Sequence, residues 1–194
     1  MIRGVIAALV GNYMTTLFVV GLIVGALQVA THGAHRPSRL VSGLMLNAFV
    51  LFAIGCAQAV NFLMHSAFGD LAARSIGWAQ SPFQLELAFS SLGVAVMAFI
   101  LHGRRAQFRG KVAVVVATAI FGYGAAGGHV YQMVANHDYA PNNTGLLLVM
   151  DIVIPTVGLA FVVWHGIALR RSTRDADAAD NLGSPTDLQP ARAR

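Results

Sequence analysis

The stretch Ile76-Gly77-Trp78-Ala79-Gln80-Ser81-Pro82-Phe83-Gln84-Leu85-Glu86 is a polar turn that leads directly into a long apolar helix. Ser81 is predicted to be the helix N-cap, and Pro82 the first helical residue, where its missing N–H has no helical partner to lose. After Glu86 no further charge appears before the helix ends near His102. A carboxylate in so apolar a helix is costly in lipid, so it is expected to have a partner at the same depth.

Composition places the helix in a membrane protein. The 194 residues are 56% hydrophobic and only 11% charged, with a mean hydropathy of +0.64, whereas a soluble domain carries roughly twice that share of charge. Five apolar stretches reach or approach the ~20 residues that cross a ~30 Å hydrocarbon core. They are residues 5–30, 41–67, 83–102, 112–135 and 146–169. The sequence therefore predicts an all-α polytopic membrane helix bundle with five transmembrane helices, formed by residues 1–171.

The basic residues predict an orientation. Eleven of the 13 Lys and Arg residues fall in the loops 31–40 and 103–111 or after residue 169, on one side of a five-span chain, and only Arg3 and Arg74 fall on the other. The positive-inside rule then places the N-terminus outside and the C-terminus in the cytoplasm, for a multi-pass protein of the prokaryotic cytoplasmic membrane. The basic charge is assigned to topology and to anionic lipids at the cytoplasmic face, and not to nucleic acid.

The last 23 residues differ in composition from the rest of the chain. Residues 172–194 are mainly Ser, Thr, Asp, Ala, Pro and Arg, with almost no large apolar side chain. Such a segment cannot bury enough apolar surface to offset the entropy of ordering. A disordered cytoplasmic tail is therefore predicted over residues 172–194.

Two polar stripes with i, i+3, i+7 spacing lie at the outer ends of predicted spans, and such spacing places each stripe on one helix face. They are Gln58, Asn61 and His65 in the second span, and His129, Gln132 and Asn136 in the fourth. The fifth span adds Asp151, followed four residues later by Pro155. Because proline has no N–H, the backbone carbonyl of Asp151 loses its helical hydrogen bond.

Four titratable side chains are predicted to share one layer. His65, Glu86, His129 and Asp151 each lie three to seven residues from an outer loop, which at ~1.5 Å per residue places all four within about 5–10 Å of the outer boundary. We predict that they form a candidate metal site for Zn, Fe or Mn. Neighbouring polar side chains are expected to orient these ligands. They are Asn61, Gln84, Gln132 and Asn136.

Several functions remain open for such a layer. A metal would favour a membrane oxidoreductase or hydrolase acting on a small or lipidic substrate. The same groups would also serve a small proton- or ion-coupled transporter subunit, or a non-catalytic scaffold held by a structural polar network, as a homo-oligomer or beside a membrane partner subunit. No nucleotide-binding or nucleophile motif is present.

Five short motifs are distributed over residues 60–160. They are Ile76-Gly77-Trp78, Ser81-Pro82-Phe83-Gln84 with Glu86, Gly128-His129 with Gln132, Ala140-Pro141-Asn142, and Asp151 with Pro155. In these motifs the chain resembles an uncharacterised family of small prokaryotic integral membrane proteins. The resemblance implies a compact multi-helix membrane domain without an assigned reaction. A looser similarity to DoxX-like membrane proteins implies a redox or quinone-linked partner. The first span, the loop after it and the tail lie outside the resemblance.

Overall fold

The computed structural model describes residues 11–34 and 36–183, and all regular secondary structure in these ranges is helical. The helices are α1 (Tyr13–Ala30), α2 (Ser38–Phe49), α3 (Ala57–Ala67), α4 (Gly69–Ile76), α5 (Phe83–Leu101), α6 (Phe108–Asn136), α7 (Pro141–Thr144) and α8 (Leu146–Gly183). A π-helical segment, Val50–Cys56, joins α2 to α3 without a break.

Five helical stretches are long and apolar enough to cross a membrane, which confirms the predicted number of spans. In chain order, spans 1 to 5 are Tyr13–Ala30, Ser38–Ala67, Phe83–Leu101, Phe108–Asn136 and Pro141–Asp180. The predicted start of span 1, residues 5–10, lies outside the described residues. We call the end that carries α4, residues 77–82 and α7 the Trp78 end. The opposite end, with residues 31–37 and 102–107, is the basic end.

The last helix departs from the sequence prediction. It continues to Gly183, so residues 172–183 are helical where a disordered tail was expected. This segment contains several alanines, and Arg171 and Asp175 place opposite charges four residues apart, both of which favour a helix. Residues 184–194 lie outside the described residues.

Span 2 occupies the centre of the bundle. In an 18-residue window, 56% of its residues are buried, against 17–33% in the other four spans. Its Leu46, Phe49, Val50 and Ile54 form the core with buried side chains of spans 4 and 5. The other four spans therefore pack around span 2, which explains why its polar residues are buried while much of their own apolar surface is exposed.

Gly158 allows three spans to meet closely in this core. A Cβ at Gly158 of span 5 would lie 2.7 Å from Cε1 of Phe49 and 3.2 Å from Cγ1 of Val115. Phe49 has little freedom to move away, because its ring packs edge-to-face against Phe18 and Phe161. The missing side chain at position 158 is thus a requirement of the packing between spans 2, 4 and 5.

Substituting Gly158→Ala is expected to destabilise the bundle by about 1–3 kcal/mol, because the added methyl group overpacks the Phe49 ring. The measurement is reversible unfolding of the detergent-solubilised protein. The control is Gly127→Ala in span 4, where a Cβ would have no neighbour within 4 Å. It should be neutral or stabilising by up to about 1 kcal/mol through helix propensity. Equal effects of the two substitutions would contradict this packing.

Candidate functional site

Asn143 is the centre of a hydrogen-bonded network at the Trp78 end. The single helical turn α7 begins with Pro141 and contains Asn143. The Asn143 residue is fully buried. Asn143 Oδ1 accepts a hydrogen bond from Trp78 Nε1 at 3.1 Å and lies 2.7 Å from His129 Nδ1. Its Nδ2 donates to the backbone carbonyl of Asp138 at 2.8 Å. Since an indole N–H only donates and a carbonyl only accepts, these contacts fix the orientation of the amide.

This orientation determines where His129 carries its hydrogen. Asn143 Oδ1 can only accept, so Nδ1 of His129 must be the protonated nitrogen. Nε2 then faces Oδ2 of Asp151 at 3.5 Å, and the two residues are only 4% and 5% exposed. A bare imidazole nitrogen and a bare carboxylate would face each other with lone pairs in a medium of low dielectric constant. One proton is therefore expected on the pair, which is then neutral as a whole.

The Ile76-Gly77-Trp78 motif forms the cover of this network. Helix α4 ends at Gly77, whose φ of 79° is in the left-handed region that glycine adopts without cost. The reversal brings the Trp78 ring over His129, with 5.3 Å between ring centroids. Gly77 also abuts Asp138, since a Cβ there would lie 2.6 Å from Oδ1 of that carboxylate. Gly77 thus serves both the turn and the close approach of Asp138.

Asp138 closes the loop before α7. Its Oδ1 accepts a hydrogen bond from the backbone N–H of Ala140 at 3.0 Å. Its Oδ2 is buried and has no hydrogen-bond partner among the described residues. The Asp138 carboxylate therefore places a second acidic group close to Asn143, although it does not contact His129.

A second chain of hydrogen bonds links spans 1, 2 and 3. Tyr13 donates to Asn61 Oδ1 at 2.6 Å, and Asn61 Nδ2 donates to Ser91 Oγ at 2.9 Å. Together with the His129–Asp151 pair, this chain gives each of the five spans at least one polar side chain in a contact with another span.

His65 belongs to a different cluster at the same end. Its Nδ1 lies 2.7 Å from Oε1 of Gln84, and Nε2 of Gln84 donates to the carbonyl of Gly69 at 3.0 Å. Gln80 bridges this cluster to Asp70 by a 2.8 Å hydrogen bond. The cluster borders an open cavity of about 640 Å³ and does not include His129.

Glu86 is exposed and has no hydrogen bond or ion pair with the described residues. Glu86 is exposed because of its rotational position on the helix. The buried face of α5 contains Ala88, Ser91, Ala95 and Ala98, and Glu86 precedes Ala88 by two residues, or about 200° of rotation. Glu86 therefore points away from the buried face of its helix, contrary to the prediction that it joins Asp151 and the two histidines in one site.

The predicted supporting residues are also divided. Asn61 binds Tyr13 and Ser91, and Gln84 binds His65, as described above. Gln132 accepts a 2.5 Å hydrogen bond from Asn136, which is itself exposed.

Of the four predicted ligands, the structure brings together His129 and Asp151 but not His65 or Glu86. Within residues 11–34 and 36–183, no group of three or more His, Cys, Asp and Glu side chains is placed to hold a metal ion. The geometry thus gives no support to the four-ligand metal site.

Five residues of these hydrogen-bonded networks were not identified from the sequence as functional candidates. They are Tyr13, Trp78, Ser91, Asp138 and Asn143. Asn143 lies in a single helical turn, so no periodicity marks it. From the sequence, Trp78 is typical of an aromatic anchor at the membrane interface, and Tyr13 is typical of an ordinary polar residue within a span. Only the density of polar side chains in residues 136–144 pointed to this loop.

The fold and the network define the class of protein: an all-helical chain with five candidate membrane spans and a buried His–Asp pair under the Trp78 end. The chain belongs to a family of unknown function, DUF6790, whose model matches residues 11–171. The match includes span 1 and the basic loop after it, both of which lay outside the resemblance seen in the sequence. No curated protein and no solved structure matches the chain.

Asn143→Ala is expected to destabilise the protein strongly, because it leaves the buried His129 and Trp78 ring N–H groups without acceptors. Each unpaired group costs about 1–3 kcal/mol. Thermal unfolding in detergent measures the loss, and Trp78 fluorescence, recorded in a Trp164→Phe background, should report a more polar environment. Asn142→Ala is the matched control, since Asn142 makes no side-chain hydrogen bond with the described residues. If Asn142→Ala were as harmful as Asn143→Ala, the role of Asn143 as the centre of the network would be wrong.

Proposed function

We propose that this chain is a multi-pass protein of the prokaryotic cytoplasmic membrane whose His129–Asp151 pair takes up and releases a proton to drive transport of a small solute or ion. The observation that carries the proposal is the placement of the pair. Two titratable groups on adjacent spans face each other at 3.5 Å, almost fully buried, with the remaining ring nitrogen of His129 already bound by Asn143. Ionisable groups inside membrane bundles typically serve proton and ion pathways.

The proton would change the charge of the pair, and thereby the energy of the surrounding packing. With one proton the pair is neutral, and without it a negative charge remains between spans 4 and 5. Such a charge is costly in a medium of low dielectric constant unless the bundle rearranges to admit water or a cation. A ligand or proton that favours one arrangement shifts the population toward it, which is the basis of coupling.

The backbone beside the pair suits such a rearrangement. Pro155 deprives the Asp151 carbonyl of its helical hydrogen bond, and that carbonyl lies against Gly122 of span 4, where a Cβ would be only 3.0 Å away. A proline and a glycine at one helix contact form a point at which span 5 can bend with little loss of hydrogen bonding. In this proposal, span 5 bends at the depth of the His129–Asp151 pair.

A structural network is the second candidate function. It is favoured by Asn143, which is fully buried and has hydrogen bonds from both ends of its amide. Fully satisfied polar networks fix the register of packed helices. A metal-dependent oxidoreductase or hydrolase, with or without a DoxX-like redox partner, would need ligands in addition to His129 and Asp151, so it is the weaker proposal.

Infrared titration of the purified protein tests the proton-binding step. The wild type should show a pH-dependent carboxylic C=O band that is absent from Asp151→Asn and retained in Glu86→Gln, the matched carboxylate of a neighbouring span. Elemental analysis of the same samples tests the metal alternative. Identical titrations of the wild type and Asp151→Asn would contradict proton exchange at Asp151 and leave the structural network.

Transport is tested separately in proteoliposomes loaded with a pH-sensitive dye. Under an imposed membrane potential, the wild type and Glu86→Gln should move protons, while Asp151→Asn should fall to the level of empty liposomes. Potential-driven flux that survives in Asp151→Asn would show that the pair is not on the proton path. A titrating pair without flux in the wild type would exclude an uncoupled proton path and leave transport that requires the co-transported solute.

The proposed topology has the N-terminus outside and the C-terminus in the cytoplasm, because eleven of the 13 basic residues fall on one side. A cytoplasmic reporter fused after residue 183 should be active, and one inserted in the loop at residues 77–82 should be inactive. A reporter that requires export should give the opposite pattern. The reverse result for both reporters would invert the topology and place the His129–Asp151 pair near the inner leaflet.

A further inference from the structure

The basic end contains a second polar site, distinct in position and chemistry from the His129–Asp151 pair. A cavity of about 840 Å³ lies between the ends of spans 2, 4 and 5. Arg39, Arg104, Lys111 and Arg171 line it, with Asp175 as the single carboxylate. Ligand sites of roughly 300–1,000 Å³ are common in proteins, so the cavity is large enough for a small molecule or a lipid headgroup.

Lys111 is the buried cationic residue among those that line the cavity. Its side chain is only 5% exposed, and Nζ donates one hydrogen bond of 2.5 Å to Asn47 Oδ1, a neutral amide. No ion pair joins Lys111 to any described residue. A buried ammonium group loses hydration on folding, and a neutral amide does not neutralise its charge. Lys111 therefore faces the cavity with an unneutralised charge and two unused donors.

Two helix N-termini add to the positive potential. Helix α2 begins at Ser38 and helix α6 at Phe108, and both residues line the cavity. Neither helix has an acidic residue in its first turn to neutralise the exposed N–H groups. Helix N-termini favour anions through these N–H groups and the helix dipole. The backbone and the side chains thus favour the same kind of ligand.

One wall of the cavity is held rigid by hydrogen bonds. The Ser42 hydroxyl donates to the carbonyl of Ser38 at 2.7 Å and lies 2.8 Å from Nδ1 of His165. The His165 ring rests against Gly43, where a Cβ would lie 3.1 Å from Cε1, and packs edge-to-face on Phe108. A site whose wall is already ordered loses little entropy when it binds a ligand.

We propose that this cavity binds a phosphate-bearing anion, which would be the headgroup of an anionic phospholipid or a free phosphate compound. Arginine guanidinium groups bind phosphate oxygens in pairs, and a buried lysine supplies a compact charge beside them. The position of the cavity at the ends of three spans would give access to a headgroup from the membrane surface. The proposal does not depend on proton exchange at His129 and Asp151.

The test compares Lys111→Gln with Arg109→Gln in the delipidated protein. Both substitutions remove one positive charge from the first turn of α6, but Arg109 is exposed and does not line the cavity. The probes are short-chain phosphatidylglycerol, short-chain phosphatidylcholine and inorganic phosphate, and binding is read from the shift in melting temperature and from native mass spectrometry. Lys111→Gln should weaken binding of the anionic probe about tenfold, the loss expected for one charge-assisted hydrogen bond. Arg109→Gln should leave it within about twofold.

The three probes distinguish the sources of the phosphate. Binding of phosphatidylglycerol but not of phosphatidylcholine or inorganic phosphate assigns the site to a lipid headgroup, and binding of inorganic phosphate assigns it to a soluble anion. Equal weakening by Lys111→Gln and Arg109→Gln would reduce the effect to general surface charge and overturn the proposal. So would a wild-type protein that none of the anionic probes stabilises. If Lys111→Gln fails to fold, Arg39→Gln, in the first turn of α2, replaces it with the same expected loss.

Discussion

The burial of span 2 among the other four spans is the constraint on which the rest of this structure depends. A central helix in a bundle has few lipid-facing positions, so the polar groups on its buried faces must find partners within the protein. Asn61 does so with Tyr13 and Ser91, and Asn47 does so with Lys111. Close approach around this helix requires small residues at defined positions, of which Gly158 against the Phe49 ring is the clearest.

The two ends of the bundle solve the problem of buried polarity in different ways. At the Trp78 end several buried polar groups have partners within the protein: the amide of Asn143 is used from both sides, and Asp151 faces His129, while Oδ2 of Asp138 has no hydrogen-bond partner among the described residues. At the basic end the charges are mainly of one sign, and Lys111 has only an amide beside it. In the proposed function, the first arrangement holds or exchanges a proton without an external ligand. At the second, the proposed phosphate-bearing anion would neutralise part of the positive charge.

Helical periodicity and depth identified part of the candidate site. His129 and Asp151 were singled out because each is polar in an apolar span at a similar depth, and the structure pairs them. A shared depth in the membrane did not determine the direction in which each side chain points. Glu86 shares that depth, yet the buried face of its helix is defined by Ala88 and Ser91, about 200° away. His65 shares a face with Asn61, but it lies beyond the packed part of the bundle and binds Gln84 instead.

The sequence by itself determined the membrane class, the five apolar spans and the helical state of the chain, because length and hydropathy are properties of each segment alone. It did not determine the π-helical segment Val50–Cys56 or the continuation of the last helix to Gly183. Only the tertiary structure decided which polar residues meet. The rotation of each helix about its axis depends on its neighbours, and the position of Asn143 depends on how residues 137–145 fold across two spans. A local pattern contains neither quantity. These two quantities determine that the carboxylate facing His129 from a neighbouring span is Asp151 and not Glu86.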